Sequence, residues 1–174
     1  TATEDIVSIT KAYDIAAAKS MHVIDVLNEV GNTFAISSSG IGEGLKRSSS
    51  ALAAGNNTFE ESVAMLTAMN EVLQDPAIAG TTLKMLSLRL RGAKTDIEAA
   101  GESTDGMADS TSKLREQVAA LTNVDGKGGF DIMTNNGRSF KSTYEILQGI
   151  AKVWKQIDDI DQANNTCLYV QKCA

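Results

Sequence analysis

The sequence is short of the residues from which small proteins build metal sites and disulfide frameworks. Its 174 residues include two cysteines, Cys167 and Cys173, and one histidine, His22. That set excludes a four-cysteine zinc site, a site of two cysteines and two histidines, and a disulfide-rich secreted scaffold. There is a single proline, Pro76, and aromatics make up only 5% of the chain, which argues against a heavily packed β-sandwich. No run approaches the roughly twenty apolar residues of a membrane span, so no span is expected in this piece. The opening TATEDIVSITKAYDIAAAKS lacks the basic-then-apolar order of a signal peptide. Basic charge is also short. Sixteen Lys and Arg face twenty-two Asp and Glu, for a net −6, and both halves are acidic, which disfavours nucleic-acid binding. The chain starts with Thr and enters a helical pattern almost at once, as expected of a piece of a longer protein.

What is present favours helices. A loose helix is expected over Ile6 to about Ser20, on Ile6, Ile9, Tyr13 and Ala16 to Ala18. A sharper one follows over Met21 to Val30, where Val23, Val26, Leu27 and Val30 share a face and Gly31-Asn32 reads as the stop. Ile41, Leu45, Ser48 and Leu52 keep helical spacing although Gly40, Gly42 and Gly44 interrupt it. Those glycines imply either a close helix approach or a start ordered by its neighbours. Thr58 and Glu61 have capping-box spacing ahead of a helix Phe59 to Leu73. Its wide stripe of Phe59, Val63, Leu66 and Leu73, broadened by Met65, Met69 and Val72, implies more than one packing partner. Asn70 either fixes helix register through a buried hydrogen bond or lies at the stripe's edge. Asp75 caps, and Pro76 opens, a helix that aligns Ala79, Leu83, Leu86 and Leu90. Lys84, Arg89 and Arg91 make its end basic, either a solvated face or a strip for a carboxylate-rich partner.

After the polar stretch GESTDGMAD, Ser110 or Ser112 opens a short helix with Leu114, Val118 and Leu121. Asn136-Gly137 is a hairpin signal between Phe130 to Met133 and Ser139-Phe140. A small flap near residues 129–141 is expected to stand off the helical body, ordered only if Phe130, Ile132 and Phe140 reach the helices. Ser142 or Thr143 starts the best amphipathic segment, with Ile146, Ile150, Val153, Ile157 and Ile160 in line and Leu147 and Trp154 beside them. The fold class is therefore mainly α, a bundle-like single domain over residues 1–164 with a small hairpin, followed by an irregular or divergent tail over 165–174.

No constellation for chemistry emerges. SGIGEG lacks the P-loop lysine and hydroxyl in order, and Gly40-Ile41-Gly42 is an incomplete dinucleotide fingerprint without a strand before it. The serines at 37–39 and 48–50 have only His22 as a possible base, and a lone helical histidine reads as a surface or partly buried residue. Asp125 begins a stretch with some calcium-loop character, but its twelfth position is Asn136, not Glu. Cys167 and Cys173 pair only if the tail bends; as free thiols they fit a reducing compartment. No catalytic residue, cofactor or metal is expected, and the chain is read as non-enzymatic.

The order of several blocks goes beyond periodicity. Asp25 to Val30, the long stretch from Phe34 to Glu98 with Asp75-Pro76 and SLRLRGAKT, Asp131-Ile132-Met133, FKSTYEIL and WKQIDDIDQAN together resemble the conserved region of phage tail tape measure proteins over roughly residues 25–164. The resemblance implies a virion component of long-tailed phages or prophages that sets tail length and assists genome delivery. It implies tail-tube and tail-initiation proteins as partners, with self-association, and a location in the virion tail, reached from the host cytoplasm during assembly. The sequence departs from that pattern after DQAN, continuing as NTCLYVQKCA. Even fully helical, this length would span only about 260 Å, and its frequent helix breaks prevent it from serving as one ruler. The packing or assembly surface is expected on Phe59 to Leu73, Leu83 to Leu90 and Ile146 to Ile160, with Asn70 and Trp154 as contact residues. A stand-alone helical adaptor, binding through Lys84, Arg89 and Arg91, is the alternative. A third reading is an enzyme whose active domain lies outside this piece.

Overall fold

The computed structural model describes residues 2–124, 126, 128–157, 159–160 and 162–163. The tail cysteines, and Asp125 with Lys127 of the calcium-like stretch, lie outside the described residues. The described residues are mainly α-helical, with one two-stranded antiparallel sheet. Their contacts form two compact units, Thr1–Met85 and Leu86–Ala174.

The first unit contains α1 (Ala2–Ala12), α2 (Ser20–Thr33), α3 (Ser38–Ala54), α4 (Phe59–Leu73) and the first part of α5 (Pro76–Leu90). The expected helix over residues 6–20 is broken, because Asp14 takes a left-handed backbone (φ 50°) and Ile15 donates its amide to the Thr10 carbonyl at 2.8 Å. This is a C-terminal cap with Asp in the place glycine usually fills. Gly31-Asn32 does not stop α2, which continues to Thr33. Gly31 serves instead to admit Ser38, whose Oγ would stand 2.8 Å from a Cβ there.

α3 packs against α1, α2 and α4 and carries the centre of this core. Ile41, Leu45, Ser48 and Leu52 are fully buried, with Ile9, Val23 and Leu66 around them. The α3 glycines resolve in favour of close approach: a Cβ on Gly44 would lie 2.7 Å from Leu66 Cδ1 and 2.8 Å from the Pro76 carbonyl oxygen. Gly80 of α5 faces Gly44 so closely that a Cβ there would overlap the Gly44 backbone. Tyr13 packs edge-on against Phe59, ring centres 6.0 Å apart. Burial pushes its phenol up to about 12, although Ser62 and Ser49 beside it pull the other way.

The second unit contains the end of α5, α6 (Lys94–Ala99), α7 (Thr111–Leu121), β1 (Met133–Thr134), β2 (Ser139–Phe140) and α8 (Thr143–Val153). Leu90, Leu114, Val118, Ile132, Ile146 and Ile150 form its core. β1 and β2 pair Met133 with Phe140 and Thr134 with Ser139, around left-handed Asn135, Asn136 and Gly137. The hairpin is docked, not standing off the helices. Ile132 is fully buried, the Phe130 ring packs directly against Gly149 of α8, and the Arg115 guanidinium of α7 grips both carboxylate oxygens of Asp131, with Nε to Oδ1 at 2.7 Å. α8 ends at Val153, earlier than the isoleucine pattern suggests. A 3-10 turn follows at Trp154–Gln156, and Ile157 is buried while Ile160 is 74% exposed.

Candidate interaction surface

The residues singled out in the sequence have mainly structural places. Thr58 Oγ1 accepts from the Glu61 amide at 3.1 Å, and Glu61 Oε2 accepts from the Thr58 amide at 2.9 Å, a reciprocal cap on α4. Asp75 Oδ1 accepts from the amides of Ala77 and Ile78 at 2.9 and 3.0 Å, with Pro76 opening α5 where no amide hydrogen is needed. Asn70 is buried and donates from Nδ2 to the Ala35 carbonyl at 3.3 Å, tying α4 to the turn between α2 and α3. Trp154 is half-buried against the second core.

The basic residues do not form an exposed strip. Arg89 is only 8% exposed and donates from Nη2 to the Ser103 carbonyl at 3.3 Å, holding the polar 101–109 loop to α5. Lys84 and Arg91 are half-exposed. At helical spacing Lys84 and Arg91 fall on one face and Arg89 lies roughly 140° round the axis, so a count of charge along the sequence overstated the strip.

An open apolar groove lies between α2 and α4 in the first unit. Val26, Val30 and Phe34 line one side, and Val63, Ala64, Thr67 and Ala68 the other, around a cavity of about 390 Å³. Sequence periodicity put Val26 and Val30 on one apolar face with Val23 and Leu27. Only the latter pair is buried; Val26 and Val30 are half-exposed, and Phe34 is 47% exposed. On α4, Ala64 and Ala68 are exposed, and Val72, one turn further, is 81% exposed.

Hydrogen bonds tie the two sides together near both ends of the groove. At one, His22 Nε2 of α2 donates to Glu60 Oε1 of α4 at 3.0 Å, and this bond holds the Glu60 carboxyl below its ordinary range. At the other stands the Asn70–Ala35 bond. The starts of the two helices are thus paired, and so are their ends, which makes α2 and α4 run in the same direction. From Glu60 to Asn70 is about 15 Å of helix. Its charge has one sign. Glu60 and Glu71 line the groove, and Asp25 and Glu29 are exposed on α2. Neither helix contains Lys or Arg. The signal was present in the sequence as alanines four apart on a helix without basic residues.

Residues 1–166 match the phage-related minor tail protein family. The chain belongs to that family. As a phage-related minor tail protein it is a structural component of a phage tail. No curated protein and no solved structure matches the chain. Within the described residues of this minor tail protein, no helix is long and apolar enough to cross a membrane.

Proposed function

We propose that this chain is a globular portion of a tape measure protein, the tail component that sets tail length and assists genome delivery. The observation that carries this reading is the ordered set of sequence blocks over residues 25–164, within a family match over 1–166. The role is non-enzymatic: the chain works through helix faces, assembling in the host cytoplasm with tail-tube and tail-initiation proteins. The length-setting itself belongs to longer helical stretches, since the helices here are short and capped. The adaptor alternative loses its support, because Arg89 is buried and does not join Lys84 and Arg91 at the surface.

The test is an in-frame deletion of this region in the tailed phage or prophage that encodes it, with tails imaged by electron microscopy. Absent tails, or tails of altered length, are expected, together with loss of binding to the tail-tube or initiation proteins. Normal tails at normal length from particles lacking the region would overturn the reading.

A further inference from the structure

We propose that the groove between α2 and α4 receives one amphipathic helix from a partner protein, carrying an apolar stripe flanked by Lys or Arg. The inference rests on the geometry of the first unit, goes beyond the tape measure reading and does not depend on it. Three observations select this occupant. The His22–Glu60 and Asn70–Ala35 hydrogen bonds tie the α2 and α4 segments together near both ends of the groove, so it is already formed and need not open. A preformed site spares the binder the cost of ordering it. Its wall of Ala64 and Ala68 lets a third helix approach closely, while Val26, Val30 and Phe34 offer apolar contact on the facing side.

The charge identifies the partner. Glu60 and Glu71 line the groove beside its apolar residues, Asp25 and Glu29 are exposed on α2, and neither helix holds a Lys or Arg to answer them. A second copy placed face to face would set carboxylates against carboxylates, which disfavours self-pairing through this groove at neutral pH. A basic helix meets the rim with complementary charge, so binding is steered by the rim and weakened by salt.

The test uses the whole chain and a fluorescein-labelled Leu/Lys amphipathic peptide of about fourteen residues, slightly longer than the groove. Two control peptides are a Leu/Glu version of the same pattern and a Leu/Lys peptide scrambled to remove the stripe. Saturable, salt-sensitive binding of the patterned basic peptide is expected, weakened about tenfold or more by Ala68→Arg and by Glu71→Lys. Both positions are exposed, so circular dichroism is expected to show an unchanged fold. Equal binding of the scrambled peptide, preferred binding of the Leu/Glu peptide, or unchanged affinity in both variants would overturn the proposal. So would a neutral-pH dimer, seen by sedimentation, that Ala68→Arg abolishes, since that result would assign the groove to a second copy.

Discussion

At the scale of single residues, the two glycines where α3 and α5 cross have the least freedom to change. Gly44 and Gly80 bring two backbones together with no space for a methyl group on either side, and Leu66 and Pro76 close the gap around Gly44. Alanine normally favours a helix over glycine by up to about 1 kcal/mol. Here steric overlap outweighs that gain, since overpacking a tight core costs about 1–3 kcal/mol. Gly80→Ala and Gly44→Ala are each expected to lower the urea unfolding midpoint, against the direction that helix propensity dictates. A raised midpoint in either variant would show that the helices can separate cheaply. The sequence offered the α3 glycines as an ambiguity and gave no reason to pair Gly44 with Gly80, because residues thirty-six apart carry no local record of a crossing.

At the scale of elements, capped helix starts were the most legible features. Thr58 with Glu61, and Asp75 ahead of Pro76, act through bonds spanning two or three residues, which sequence spacing reports directly, and of the two starts offered for α8 Ser142 is the cap, paired with Glu145. Helix ends were less legible. The Asp14 turn uses a residue that seldom takes a left-handed backbone, and α8 stops at Val153 although isoleucines continue in register. The hairpin was legible as a turn but not as a docked element, since Phe130 on Gly149 and Arg115 on Asp131 are contacts across the fold. The Arg115 guanidinium holds the Asp131 carboxyl below the usual carboxylate range. A carboxyl depressed on folding contributes stability above its unfolded pKa of about 4, and that contribution is lost as pH falls through the folded value. Hydrogen exchange at the Met133 amide, which donates to Asp131 Oδ1 at 2.9 Å, is therefore expected to lose protection, relative to the α8 core, as pH drops below about 4. Asp131→Asn is expected to show the reduced protection already at neutral pH, and equal protection in both proteins would remove the ion pair from the account.

At the scale of the whole molecule, α5 supplies Ala79 and Leu83 to the first unit and Ser87 and Leu90 to the second, where Ser87 Oγ meets Thr143 Oγ1 at 3.0 Å. An apolar line read as one helix face thus serves two cores, which periodicity alone does not divide. Charge is divided as well: residues 1–85 hold ten acidic and five basic side chains, so they carry −5 of the chain's −6. The acidic rim of the α2–α4 groove then has a colloidal consequence. At neutral pH its negative charge keeps copies of the protein apart, and added salt screens that repulsion and leaves the exposed Phe34, Ala64, Ala68 and Val72 as an adhesive face. Light scattering at neutral pH is expected to rise reversibly with added salt, and less so in Ala68→Arg, which sets a charged guanidinium in the apolar face. Equal scattering from both proteins would mean that another surface does the sticking. A groove built to admit a basic helix is, on these terms, also what keeps the free protein in solution.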